Sequence, residues 1–157
     1  IFKVWNGGLG IWGAIIGGGL ALFIFSYIKK ISFLDLFNSI VIGVPFAQAI
    51  GRLGNWANGE LYGKNGEPLF AYEAGLSIVL GVVLIYISRP GFRVKPGMTR
   101  ASTGGIYLIG YGLIRICLEN LRPDGIIWKI YGVPMAIVMG VVAILVGSFL
   151  VQGRPAK

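Results

Sequence analysis

The sequence has no histidine and a single cysteine, Cys117. A disulfide within the chain is therefore impossible, and a metal site built from cysteine and histidine has too few ligands. No metal and no cofactor are expected. Charge is also scarce. Asp, Glu, Lys and Arg make up 13% of the 157 residues, against ~25% in a soluble globular domain. What replaces charge is apolar surface, at 55% of the chain with a mean hydropathy of +0.78. Lipid is the solvent such a composition fits. The 26 glycines sit inside apolar runs, where they let membrane helices approach closely rather than marking disorder.

Five apolar segments predict an all-α, polytopic membrane helix bundle forming one integral membrane domain over residues 1–157. The spans run at roughly 9–28, 36–58, 69–87, 104–121 and 133–151, each near the ~20 residues a span requires. The first holds Gly13-Ala-Ile-Ile-Gly17 and the triplet Gly17-Gly18-Gly19. If the chain zigzags, Lys29, Lys30, Arg89, Arg93, Lys95, Arg100, Arg154 and Lys157 share one side, and only Lys3, Lys64, Arg122 and Lys129 lie opposite. The positive-inside rule makes the first side cytoplasmic, with the C-terminus there, and the segments 59–68 and 122–131 external. This topology accounts for most of the net charge of +8, so nucleic acid is not an expected partner. The Pro-Gly-rich stretch Arg89 to Arg100 reads as a solvated cytoplasmic connection. The chain opens with Ile1, and its first apolar run precedes Lys29 and Lys30. That is the wrong polarity for a signal peptide, and the expectation is an internal piece lacking upstream sequence.

Ionisable residues inside apolar surroundings are the informative ones, since a charge at the bilayer centre costs ~2.5–3.5 kcal/mol on insertion scales. Two clusters stand out, both at external ends of spans. In Gly51-Arg-Leu-Gly-Asn-Trp-Ala-Asn-Gly-Glu-Leu-Tyr-Gly63, Arg52 and Asn55 share a helix face that Asn58 extends, and Glu60 follows. The glycines predict a break near Gly59, which membrane depth tolerates only where backbone lines a cavity or is buried in protein. In the second cluster, Tyr111, Arg115, Glu119 and Arg122 make one helical stripe, with Glu119 spaced to pair with either arginine. Two arginines against one glutamate leave positive charge for an anion. Arginine's planar fork suits phosphate oxygens, so Arg52, Arg115 and Arg122 predict an anionic-lipid site open to the exterior. Tyr72 and Glu73 open the third span, either bordering that cavity or anchoring the interface. Cys117, between Ile116 and Leu118, reads as a buried structural thiol.

The first cluster resembles the signature G-R-x-G-N-F-x-N-x-E-x-x-G of the prolipoprotein diacylglyceryl transferases, with Trp56 where Phe is usual. Three further stretches extend the resemblance over nearly the whole chain. Trp12-Gly-Ala-Ile-Ile-Gly-Gly18 resembles the family's glycine-rich segment, and Pro68 to Glu73 its P-x-x-x-Y-E element. Tyr111 to Asp124 resembles Y-G-x-x-R-F-x-x-E-x-x-R-x-D. There are three departures. Ile11-Trp12-Gly13 stands where many members carry a histidine, about two upstream spans are missing, and the loop from Arg89 to Arg100 is long.

The resemblance implies transfer of the sn-1,2-diacylglyceryl group of phosphatidylglycerol to the lipobox cysteine thiol in the signal peptide of a prolipoprotein, at a bacterial inner membrane. The product is a thioether. On that basis Arg52 and Arg115 would hold the phosphate, and Gly54, Asn55 and Asn58 would contact the headgroup. Glu60 would orient an arginine or help deprotonate the thiol, while Tyr111, Glu119 and Arg122 would complete the phosphatidylglycerol-binding set, the last two as its supporting shell. Cys117 lies in no lipobox and is not the acceptor. Three competing readings are a glycerol-phosphate acyltransferase, a non-catalytic lipid-binding or transport protein, and an inactive fragment of the transferase. The external clusters argue against the first, and the absence of an internal repeat argues against transport.

Overall fold

The computed structural model describes residues 11–89 and 101–152, apart from 124, 126, 128 and 131. The basic loop from Arg89 to Arg100, beyond Arg89 itself, lies outside these residues, as do Lys3, Asp124, Arg154 and Lys157. The chain divides into two compact units, residues 1–37 and 38–157.

The first unit holds α1 (Ile11–Lys29) and the start of α2 (Phe33–Ile40). Apolar residues face outward around α1, with Phe23, Tyr27 and Ile28 all exposed. The helix ends in a Schellman motif: the N–H of Ile31 donates to the Ser26 carbonyl and that of Lys30 to Tyr27, with Lys30 at φ 53°. Lys29 in the last turn complements the helix dipole. Phe33 stacks on Phe37 at 6.4 Å, and Phe23 meets Phe33 at the same distance.

The second unit contains α3 (Val44–Ala57), α4 (Leu69–Ser88), α5 (Ala101–Glu119) and α6 (Met135–Gln152). The expected second span is not continuous: α2 and α3 form a bent pair broken at residues 41–43. Pro45 explains the restart, because it lacks an N–H, disfavours α geometry at Val44 and is tolerated in a first helical turn. Asn38, at the end of α2 and only 3% exposed, accepts the Gly104 N–H at 2.8 Å. It thereby satisfies one of the orphan donors at the start of α5.

Glycines set the spacing of the helices. A Cβ on Gly112 would lie 2.6 Å from the Gly140 carbonyl oxygen, and one on Gly147 the same distance from that of Gly105. Each pair, Gly105 with Gly112 and Gly140 with Gly147, is two turns apart on one face, so α5 and α6 meet nearly backbone to backbone. Phe46 of α3 fills the notch at Gly81 of α4, and Leu80 of α4 fills that at Gly110 of α5.

The architecture is helical and apolar, as expected of an all-α membrane protein. By length and composition two described helices, α4 and α6, can cross a bilayer, or three if the bent α2–α3 pair is one span. Both carry exposed apolar side chains, among them Val79 and Val82 on α4 and Leu145 and Phe149 on α6. Helices apolar on all sides belong in lipid. The last span, expected from about residue 133, is preceded by a short antiparallel ladder. β1 (Lys129–Ile130) pairs with β2 (Val133–Pro134), with Gly132 at φ 80° in the turn, which delays the helix to Met135.

Candidate functional site

The C-terminal ends of α3 and α5 and the N-terminal part of α4 come together. There Glu73, 3% exposed, lies at the centre of three guanidinium groups. Arg52 Nε is 2.5 Å from Oε2, while Arg115 Nη1 at 3.1 Å and Arg122 Nη2 at 2.6 Å share Oε1. Glu119, also 3% exposed, joins this knot at longer range. Its Oε2 lies 3.8 Å from Arg115 Nη2 and 3.6 Å from Arg122 Nε. Neither Glu119 Oε2 nor Arg122 Nε has a hydrogen-bond partner among the described residues. Glu119 therefore pairs with both arginines, as its spacing suggested, but loosely. Glu73 is the tight partner.

A second arm leads outward from Arg52. Its Nη1 donates to Asn55 Oδ1 at 3.1 Å, and Asn55 Nδ2 donates to Glu60 Oε2 at 3.2 Å. The helix terminus builds this relay. α3 stops at Ala57, Asn58 is the C-cap, and Gly59 takes φ 68°. The Glu60 N–H donates to the Asn55 carbonyl at 2.8 Å and that of Gly59 to Trp56 at 3.0 Å. This is again a Schellman motif, and it folds Glu60 back onto the last turn, beside Asn55. The break expected near Gly59 is thus what brings Asn55 and Glu60 together. Asn58 and Gly54 do not join: both are exposed, and the Asn58 backbone N–H caps the Gly54 carbonyl.

Glu73 enters the charge balance. Arg52, Arg115 and Arg122 meet Glu73 and Glu119 in the knot, while Glu60 sits on the outer arm and contacts Asn55 rather than an arginine. Three formal positive charges thus face two negative ones in the knot. Buried ion pairs are about neutral for stability beside well-packed apolar replacements. Stability alone therefore does not account for three arginines on one carboxylate.

Tyr111 is stacked on Tyr107, with ring centroids 5.9 Å apart and planes at 10°. The buried Tyr107 hydroxyl accepts a hydrogen bond from Gln48 Nε2 at 2.9 Å. Gln48 precedes Arg52 by one turn and Tyr107 precedes Tyr111 by one turn, so both extend the polar stripes inward. Sequence reading missed Gln48 and Tyr107, although the four-residue periodicity was there to find them. It named Glu73 without choosing a role. The structure separates Glu73 from its neighbour, since Tyr72 is 45% exposed. Cys117 is exposed, not buried as expected. Two positions from both Arg115 and Glu119, it falls off the inward stripe.

Beyond α3 the loop is tied down by local bonds. The Gly63 N–H donates to the Glu67 carbonyl at 2.8 Å, and the Lys64 N–H to that of Leu121 at 3.0 Å. The Glu67 carboxylate accepts from Asn65 Nδ2 at 2.9 Å and from the Asn65 N–H at 3.0 Å. The Asn65 side chain, followed by backbone N–H groups, holds its carboxyl below the usual range.

Apolar helices with outward-facing apolar surface, joined at one end by an arginine–carboxylate knot, define an all-α membrane protein with a polar site at one end of its helices. The family model for prolipoprotein diacylglyceryl transferase matches residues 1–152, and the chain belongs to that family. It is 34% identical over 147 residues to the phosphatidylglycerol–prolipoprotein diacylglyceryl transferase of Lactococcus lactis subsp. lactis, covering 80% of this chain and 55% of the relative. The enzymes of that name from Streptococcus suis and Corynebacterium diphtheriae are 33% and 31% identical over 100% and 98% of this chain, and 64% and 65% of the relatives. The chain thus spans a little over half to two thirds of the length of these relatives.

Proposed function

We propose that the chain forms the phosphate-holding part of an enzyme that moves a diacylglyceryl group from phosphatidylglycerol to the lipobox cysteine of a prolipoprotein signal peptide. One observation carries the reading: guanidinium groups from two helices and the segment following α5 converge on a single buried carboxylate. Glu73 takes one nitrogen from each arginine and so fixes the three forks. Arg52 uses Nε and Nη1 inside the knot, so its Nη2 can donate to a phosphate oxygen. Arg115 sits one helical turn from Tyr111 and supplies the second contact. In the reaction the thiolate sulfur bonds to the glyceryl carbon that carries the phosphate. The C–O bond breaks and its electrons go to the phosphate, which leaves as glycerol phosphate with one more negative charge. Arginines aimed at that oxygen stabilise the growing charge.

Asn55 would hold the headgroup, with Gly54 and Asn58 at the rim. Glu119, Arg122 and Tyr111 would keep the arginines and the stripe in place. Glu60 would orient Asn55 and, through it, Arg52. Alternatively it would help to deprotonate the acceptor thiol. The setting we propose is a bacterial inner membrane, crossed by α1, the α2–α3 pair, α4, α5 and α6, with the site external and the C-terminus cytoplasmic.

The test is a mass-shift assay in phosphatidylglycerol vesicles with a cysteine-containing lipobox peptide, using this chain and one extended to its relatives' length. A diacylglyceryl adduct lost in both Arg52→Ala and Arg115→Ala supports the reading. Near-normal transfer by both variants would sink the phosphate assignment. An adduct from the extended chain alone would assign part of the site to the added length. The pairing of all three arginines to Glu73 favours one second reading, a structural or lipid-binding role without transfer; lipid binding without an adduct from either chain would establish it.

A further inference from the structure

A cleft of about 460 Å³ opens beside the arginine knot, between the loop after α3 and the segment after α5. Asn55 and Glu60 form its polar wall, and Leu61, Tyr62 and Pro123 its apolar one. Three features set it apart from the knot. Its lining includes one carboxylate, Glu60, and no basic side chain, so it repels the phosphate that the arginines attract. Its volume lies within the ~300–1,000 Å³ typical of ligand pockets, and its apolar walls suit side chains better than a polyhydroxyl headgroup. Its floor is held in an unusual backbone state: Leu61 has φ 65°, fixed by the Phe70 N–H donating to its carbonyl and by the Schellman turn before it. A bulky residue in the left-handed region persists only where its surroundings over-determine it, and such residues cluster at ligand clamps.

Asn55 belongs to both compartments. Its Oδ1 accepts from Arg52 on the knot side, and its Nδ2 holds Glu60 on the cleft side. We infer that the cleft binds the acceptor: an extended, uncharged peptide segment whose thiol is delivered past Asn55 to the phosphate-bearing carbon, while the lipid is held by the arginines. This rests on the transfer reading above and adds where its second substrate lies. Glu60 Oε1, which makes no hydrogen bond among the described residues, is available to a peptide N–H. Leu61, Tyr62 and Pro123 take up the apolar side chains flanking the cysteine.

The experiment is photocrosslinking of the membrane-embedded chain, which needs no turnover. Tyr62→p-benzoylphenylalanine would be illuminated in phosphatidylglycerol nanodiscs with an apolar peptide whose cysteine is alkylated. Val79→p-benzoylphenylalanine, on the apolar outside of α4, serves as the lipid-facing control. The expected result is a peptide adduct at position 62 and a lipid adduct at position 79. In a Leu61→Trp or Pro123→Trp background the adduct at 62 should fall at least fivefold. A lipid adduct at 62, equal peptide capture at both positions, or capture unchanged by both tryptophans would overturn the assignment. Transfer activity without capture at 62 removes the cleft and keeps the transferase. Capture without transfer by the extended chain does the reverse.

Discussion

Glu67 and Glu73 are neighbours in sequence and opposites in setting. Glu67 sits in an exposed turn, and its side-chain hydrogen bonds come from Asn65, two residues away. Glu73 is buried, and its hydrogen-bonding arginines come from 42 and 49 positions further along. The first carboxylate organises a local turn that water would otherwise solvate. The second organises three helices, because in a low-dielectric interior an unpaired charge is far more costly than in water. The two therefore differ in what their loss should do.

The largest effect should come from Glu73→Ala, which removes the buried carboxylate shared by three half-buried guanidinium groups. Breaking buried pairs of this kind costs about 3–5 kcal/mol, so thermal unfolding in micelles should occur at a clearly lower temperature. Glu73→Gln, which keeps the shape and half the acceptors, should fall between. Unfolding of Glu73→Ala at the wild-type temperature would erase the distinction between the two carboxylates. Next, Arg115→Ala should slow transfer by about 10–100-fold, the loss of a charged hydrogen bond worth ~1.5–3 kcal/mol; an unchanged rate would make the knot structural only. Gly112→Val should destabilise by about 1–3 kcal/mol through overpacking against Gly140. Denaturation should show that loss in the helices while the loop around Glu67 keeps its protection from proteolysis.

The smallest effect belongs to Glu67. Its folded-state pKa is lowered, so the stability it contributes is present above its unfolded value near 4.5 and fades as pH falls through the folded value. Glu67→Gln should leave behaviour at neutral pH unchanged and flatten the acid limb of loop proteolysis. An acid limb identical to wild type would mean the Asn65–Glu67 turn contributes nothing to the loop.

Much of this was legible in the sequence. Apolar runs located the helices to within a few residues, since burial in lipid demands length and composition that few other segments have. Gly59 announced the end of α3, because a left-handed C′ position favours glycine. The four-residue spacing on α5 put Tyr111, Arg115 and Glu119 on one stripe. The break at residues 41–43 was hinted at only by Pro45, and the short ladder at Lys129–Pro134 carried no apolar alternation to announce it.

What the sequence determined by itself was therefore local: which segments are apolar helices, where α3 must stop, and which polar residues share a face. Only the tertiary structure decided that Glu73 rather than Glu119 is the arginines' tight partner, that Gln48 supports Tyr107, and that Cys117 points outward. Those outcomes depend on how closely one helix approaches the next. That spacing is set by glycines such as Gly105, Gly112, Gly140 and Gly147 meeting across an interface. A one-dimensional pattern shows which residues share a helix face, but pairing between faces is a property of the packed bundle.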